Sequence, residues 1–449
     1  MPLTRHAVPG ISRTLIHSPP AALAIFYIGF ILIGAVALWL PVCNNGTVSF
    51  ADALFTSVSA VTVTGLGVVD TGTAFTHLGQ GVLIVLMQLG GLGLMAFAVL
   101  LLYILGVPIG VPQQSLLREE LNQSSYHELR QIVWLVFWIS IAAELAGTVL
   151  LAFSFVPDFG VWQGLWFSLF HAVSAFNNAG FGLLPDSLTR YVADPIVNIV
   201  IPALFISGGL GFIVIGDIVE VRKWQRLTLH TKLMLTGTAV LIVLGFVLVA
   251  ALEWTNPGTL GGLADHKARL WAAWFQSVTP RTAGFNTVNI AELHDSTVVV
   301  MMTLMVIGGG STSTAGGIKV TTICVLVIAT VAFFRRHSVA RAYGRSFGSE
   351  DIYKVMALAT ISTLTMIVGL FLITISHDGD FLDLAFEVAS AFGTVGLSRG
   401  ATSELDALGR GVIMMLMFLG RVGPLTLGFF LATRSLPRVR YPRGRVYLG

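Results

Sequence analysis

Four short stretches each set small or hydroxyl-bearing residues ahead of a glycine: Thr62-Val63-Thr64-Gly65, Asn177-Asn178-Ala179-Gly180, Arg281-Thr282-Ala283-Gly284 and Gly393-Thr394-Val395-Gly396. Backbone carbonyls in such a stretch can replace the water shell of a dehydrating cation. Glycine suits the end of the stretch, because turning carbonyls to one side uses dihedrals that are costly for a residue with a Cβ. Leu or Phe follows each glycine, and an aromatic (Phe55, Phe170, Trp274, Phe386) precedes it by ten positions. The glycines lie 115, 104 and 112 residues apart. One such stretch reads as a turn; four in register, each behind a similar short segment, read as a shared path for a cation.

A second set of residues interrupts one of the apolar runs. Gly308-Gly309-Gly310-Ser311-Thr312-Ser313-Thr314-Ala315-Gly316-Gly317 is a ten-residue run of small residues that cannot continue an apolar helix stably. It breaks a span at membrane depth, where irregular backbone persists only against water or protein. Lys319 follows after Ile318. A phosphate loop would need Gly-Lys-Ser/Thr in succession, so that reading is rejected. Comparable glycines are Gly90-Gly91-Leu92-Gly93, Gly208-Gly209-Leu210-Gly211 and Gly420-Arg421-Val422-Gly423. In the first two, close helix packing is the expected role. A guanidinium at this depth is expensive unless paired or wet. Arg421 therefore has two readings, a helix-locking arginine bonded to carbonyls, or a cavity residue that contacts the small-residue run and opposes cation passage.

The remaining polar residues suggest structure rather than catalysis. Glu144 sits mid-span and is expected to make a structural hydrogen bond; His171 and Glu387 are expected to bond behind the glycine stretches. There is no His-Glu-x-x-His pattern, no converging acid, base and nucleophile, and no metal spacing around Cys43 or Cys324. An intramembrane enzyme is the alternative of a different class, and it lacks its residues.

These stretches must be held by membrane helices. Of 449 residues, 55% are hydrophobic and 11% charged, with 48 glycines, and mean hydropathy is +0.83. Soluble proteins carry about 25% charged residues. A net charge of +3 is too small for a phosphate-tracking surface, so nucleic acid is excluded as a partner. Apolar runs at 21–42, 81–105, 131–155, 196–218, 233–252, 298–308 continuing at 318–334, 355–375 and 411–433 are long enough to span or nearly so. Shorter runs near 50–60, 164–176, 267–279 and 381–391 read as re-entrant helices. Ser49 with Asp52 forms a capping-box pattern, and Asp265 and Asp380 suit helix starts. Residues 1–20 and the long first run do not fit a cleaved signal.

The expected fold is an all-α polytopic membrane protein: four membrane–pore-loop–membrane repeats, with eight spans and four short pore helices around a central pore. Their C-terminal dipole ends, aimed inward, favour a cation. The repeats are 19–106, 107–224, 225–338 (with the loop 308–317) and 339–434, between an N-terminus at 1–18 and a tail at 435–449. Of 26 Lys and Arg, 18 fall on one set of loops and tails and five on the other. Arg281, Lys319 and Arg421 remain at or near membrane depth. The bias places both termini in the cytoplasm of a multi-pass protein of the cell (inner) membrane.

The glycine stretches, Leu229-His230-Thr231-Lys232, Gly308 to Lys319 and Gly420-Arg421-Val422-Gly423-Pro424 together resemble the Trk/Ktr/HKT superfamily of potassium transporters, most closely a Ktr-type membrane subunit. That resemblance covers nearly the whole chain. It implies a channel-like subunit for K+ with Na+ as a second candidate ion, and no organic cofactor. The four filter glycines, Gly65, Gly180, Gly284 and Gly396, imply potassium selectivity, whereas serine at the first would suggest sodium. Residues 308–317 would be an intramembrane loop that obstructs the cavity and moves to open it. The implied assembly is a homodimer in lipid, seated on a separate cytosolic nucleotide-binding ring. Sodium-coupled potassium symport is the alternative.

Overall fold

The computed structural model describes residues 19–93 and 126–423. Four short helices coincide with the four shorter apolar runs: α2 (Phe50–Val61), α5 (Val161–Phe176), α9 (His266–Val278) and α13 (Phe381–Gly393). Each packs on the long helix before it, respectively α1 (Pro19–Trp39), α4 (Tyr126–Phe159), α8 (Leu229–Glu253) and α12 (Ser349–Ser376). After each comes a second apolar helix: α3 (His77–Leu92), α6 (Pro195–Leu210) continued by α7 (Phe212–Val221), α10 (Asp295–Val306) continued by α11 (Val320–Phe334), and α14 (Ala407–Val422). Three helices among the described residues are long and apolar enough to cross a membrane: Trp134–Phe159, Leu229–Glu253 and Ser349–Ser376.

Local chemistry sets the helix starts. Ser49 and Asp52 form the capping box of α2; Asp265 and Asp380 accept amides at the starts of α9 and α13. The fully buried Phe55, Phe170 and Phe386 anchor three short helices, as their spacing suggests. The third departs from the pattern. Phe275, not Trp274, is the buried aromatic there, and the half-buried Trp274 donates its indole N–H to Asn198 O at 3.1 Å. Pro280 lacks an N–H, so the helix stops at Val278, earlier than its counterparts.

The second helix of each unit packs on the short helix of the next: α3 on α5, α6 on α9, α10 on α13, and α14 back on α2. The ring thus closes. A polar link ties every seam: Trp166 Nε1 to Gln80 Oε1 (2.6 Å), Trp274 to Asn198, Arg399 Nη1 to Leu293 O (3.5 Å), and Arg410 Nη1 to Asp52 Oδ1 (3.2 Å). Outward faces leave Ile25, Leu32, Ile33, Phe153, Val243, Ile367 and Phe371 exposed, surfaces suited to hydrocarbon.

The expected continuous span 196–218 is instead two helices bent by 93°. Gly211 makes the bend at φ +101°, and the freed Phe212 N–H donates to Thr312 O of the small-residue run at 3.0 Å. Gly93 (φ +86°) and Gly423 (φ +93°) end α3 and α14 in the same left-handed region. The packing role also holds. A Cβ on Gly90, Gly208 or Gly420 would collide with Val61 O, Phe176 O or Phe392 O at the end of a short helix.

Candidate ion path and gate

The four short helices deliver four glycines to one ring. A Cβ added to Gly65 would lie 2.5 Å from Ala179 O, one on Gly180 3.2 Å from Ala283 O, and one on Gly284 2.6 Å from Val395 O. On Gly396 it would collide with Thr64 O. Each glycine therefore abuts the carbonyl just before the next glycine, around a closed circle.

The stretches are not extended, as four simple return strands would be. In every one, φ is positive both at the glycine and two residues before it: Val63 (+50°), Asn178 (+56°), Thr282 (+66°) and Thr394 (+50°). Alternating handedness places successive carbonyls on one side and amides on the other. The amides turn back to the short helices. Val63 N and Thr64 N donate to Ala60 O and Ser59 O; Asn178 N and Ala179 N to Ala175 O and Ser174 O; Thr394 N and Val395 N to Ala391 O and Ser390 O. The opposite side, lined by carbonyls, is left for the centre. Three of these positive-φ residues are β-branched, for which the conformation is an outlier costing about 1–3 kcal/mol. Such strain persists only where surrounding bonds overdetermine it.

In the first and fourth units, serine six residues before the glycine supplies part of that restraint. Ser59 Oγ accepts from Gly65 N at 3.0 Å and Ser390 Oγ from Gly396 N at 3.1 Å. Val278 occupies this place in the third unit, where Ala283 N bonds Thr279 O and Thr279 Oγ1 donates to Phe285 O at 2.5 Å. Ser390→Ala leaves the half-buried Gly396 amide unpaired, at a cost of about 1 kcal/mol. The thermal midpoint of the detergent-solubilised protein should fall by a few degrees; an unchanged midpoint would deny the serine this role.

The small-residue run lies directly beneath the ring. It leaves α10 at Val306 and rejoins at α11, closed by Gly308 N to Ile318 O (2.9 Å), Ile318 N to Val306 O (3.2 Å) and Val320 N to Gly309 O (3.0 Å). Gly310 N and Thr314 N donate to Gly209 O (2.7 Å) and Gly208 O (3.2 Å), and Gly317 N donates to Gly420 O (3.2 Å). Ser313 Oγ donates to Gly310 O, and Thr312 Oγ1 to Ser311 O. Gly316 packs on Thr394 and Gly317 on Gly393. Lys319 Nζ donates to Ala315 O at 2.7 Å.

Arg421 reaches across from α14. Its guanidinium donates to Thr314 O on the loop and to Gly90 O and Gly91 O (the last at 3.2 Å) on α3. It thus makes both the loop contact expected of it and the carbonyl bonds of a locking arginine.

Other partners carried no local sequence signal. Asn177 Nδ2 donates to Glu144 Oε1 (3.1 Å), Gln88 Oε1 (2.7 Å) and Val173 O (2.9 Å), giving Glu144 its structural hydrogen bond. Glu387 accepts from Ser398 Oγ, Arg399 N and Thr402 Oγ1, so it fastens the chain just after Gly396. His171 Nδ1 lies 2.8 Å from Phe167 O. Arg281, fully in the protein interior, reaches Thr238. Among the described residues no group of His, Cys, Asp or Glu could hold a metal.

Comparison with known proteins agrees with this geometry. The chain matches the TrkH family, described as cation transport proteins, over residues 17–437. It is 47% identical over 432 residues to the Ktr system potassium uptake protein B of Bacillus subtilis, covering 96% of this chain and 97% of that protein. A protein of the same name from Vibrio alginolyticus is 42% identical over 434 residues (96% and 95%). The Potassium/sodium uptake protein NtpJ of Enterococcus hirae is 37% identical over 441 residues (96% and 97%). The crystal structure of the potassium transporter TrkH from Vibrio parahaemolyticus shares the fold, with a TM-score of 0.74 at 20% identity over 96% of this chain and 87% of that one. The closed ring of helices, the glycine circle and this similarity along nearly the whole length lead to one assignment: the chain belongs to the TrkH family of cation transport proteins and is a membrane-embedded transporter, not an enzyme.

Proposed function

We propose that the chain conducts K+ into the cell through a channel-like pore of four membrane–pore–membrane repeats and eight spans. Thr62–Gly65, Asn178–Gly180, Thr282–Gly284 and Thr394–Gly396 form the selectivity filter, and Gly308–Gly317 with Lys319 and Arg421 form the gate. The observation that carries this reading is the glycine circle, with amides turned back to the short helices and carbonyls left for the centre. Carbonyls so fixed replace the hydration shell of a cation, and the short helices end towards them with their negative dipole ends. The loop, tied to Gly208, Gly209, Gly420 and Arg421, closes the path from below. We assign both termini to the cytoplasm, and a homodimer seated on a cytosolic nucleotide-binding ring as the assembly. The tail 435–449, a candidate for the dimer contact, lies outside the described residues, as does the far half of the second span.

Sodium-coupled symport is the second reading, favoured by the similarity to a protein named for both potassium and sodium uptake. The test is growth of a potassium-limited strain lacking its own uptake systems, with this chain and a cognate ring supplied. Growth should be restored, and tracer flux should proceed without a fixed ratio of sodium entry. No rescue rejects potassium uptake; a fixed sodium ratio selects symport.

A further inference from the structure

The four positions two residues before the filter glycines are structurally equivalent but chemically different. Val63 is apolar. Thr394 packs on Gly316, its hydroxyl without a partner among the described residues. Asn178 alone of the four bonds to the loop: its Oδ1 accepts from Thr314 Oγ1 at 2.7 Å, and its Nδ2 donates to Thr282 Oγ1 at 2.9 Å and to Arg281 O at 3.3 Å. Asn178, Thr282 and Thr314 are all fully buried. One side chain therefore joins the loop to the filter stretches of two adjacent repeats.

The remaining polar groups of Thr314 hold it in place. Its N–H bonds Gly208 O and its carbonyl accepts from Arg421, so its hydroxyl meets Asn178 only while the loop sits under the ring. An amide oxygen can accept only, and an amide nitrogen can donate only. With Thr314 in place, the amide of Asn178 is held with its oxygen towards the loop and its nitrogen towards the third repeat. When the loop withdraws, that oxygen is a buried acceptor without a donor, an unfavourable state. A monovalent cation at the inner side of the filter satisfies it.

We propose that Asn178 couples gate to filter, so that K+ binding at the inner filter and release of the loop through Thr314 favour each other. The inference rests on the filter and gate reading above. Coupling between two sites is reciprocal: if release of the loop raises K+ affinity, K+ must raise the exposure of the loop by the same factor.

The test uses the full chain in liposomes, with Cys43→Ser and Cys324→Ser removing the native thiols and Ser311→Cys placing a reporter on the loop. The rate at which a water-soluble thiol reagent modifies this position is measured against K+ concentration. In the parent, saturating K+ should raise the rate about five-fold. Thr314→Val, which removes the donor, should abolish that dependence; Thr314→Ser, which keeps the hydroxyl, should retain it. Ser313→Ala, whose lost hydroxyl bonds only within the loop, should also retain it. No K+ dependence in the parent, or an undiminished dependence in Thr314→Val, overturns the proposal. A variant that elutes as aggregate is replaced by its Thr314→Ala counterpart, which removes the same donor. Failure of the underlying reading is seen separately, in the Gly65→Ser flux ratio: an altered ratio with coupling absent rejects the coupling alone.

Discussion

Gly65→Ser is expected to lower the preference for K+ over Na+ by roughly thirty-fold, measured as the ratio of tracer fluxes in liposomes. Gly65 has φ +89°, where a side chain costs about 1–3 kcal/mol. Its Cβ would also lie 2.5 Å from Ala179 O, well inside contact distance, so the carbonyl of the neighbouring repeat must move. About 2 kcal/mol spent on displacing one ring carbonyl, if lost from K+ coordination, corresponds to that thirty-fold change. The geometry also ranks the sites. Gly284, at 2.6 Å from Val395 O, should be nearly as sensitive, whereas Gly180, at 3.2 Å from Ala283 O, should disturb its neighbouring carbonyl less. Equal flux ratios in Gly65→Ser and the parent would mean that the glycine circle does not select the ion.

Much of this site was legible because its signals are local and repeated. Capping by Ser49, Asp265 and Asp380 depends on a side chain and amides two or three residues away, so it was visible in the chain itself. The interval from Phe55 to Gly65 recurs and marked the glycine circle. The same rule placed Trp274 where Phe275 is buried, because Pro280 shortens the third helix and no other repeat has a proline there. Left-handed backbone at Val63, Thr282 and Thr394 ran against side-chain type, since β-branched residues disfavour it. Only the amide bonds to the short helices reveal why it is adopted.

Longer-range features had less to announce them. A glycine in an apolar helix reads as packing, and Gly208 does pack on Phe176 O; nothing nearby distinguished it from Gly211, which bends the chain. The bend needs an acceptor for the freed Phe212 N–H, and Thr312 O supplies it from a hundred residues away. Thr314 and Asn178 were each assigned to a function, but their bond links positions 136 apart in sequence. Glu144 had no evident partner because Asn177 lies just past the end of the following short helix. Where partners are backbone carbonyls, as for Arg421, residue types carry no trace of them at all.

That last case yields the other large expected effect. Arg421→Ala should shift the loop towards its open position by about a hundred-fold and produce K+ flux without the cytosolic ring. The guanidinium joins Thr314 O on the loop to Gly90 O and Gly91 O on α3. Because Gly420, beside it, accepts from Gly317 N, the fourth repeat grips the loop at two points. Hydrogen bonds to charged groups contribute about 1.5–3 kcal/mol each. Losing the loop bond, together with the bridge to the first repeat, removes about 3 kcal/mol from the closed arrangement, which corresponds to that hundred-fold shift. Removing the charge also lowers the electrostatic barrier to a cation beneath the filter, so both consequences raise flux. Arg421→Lys separates them: it keeps the charge but cannot span Thr314 and Gly90 with a planar fork, so it should open the loop while leaving the barrier. Flux should therefore fall in the order alanine, lysine, arginine. If Arg421→Ala, correctly folded, transports no more than the parent in the absence of the ring, the arginine serves helix packing rather than the gate.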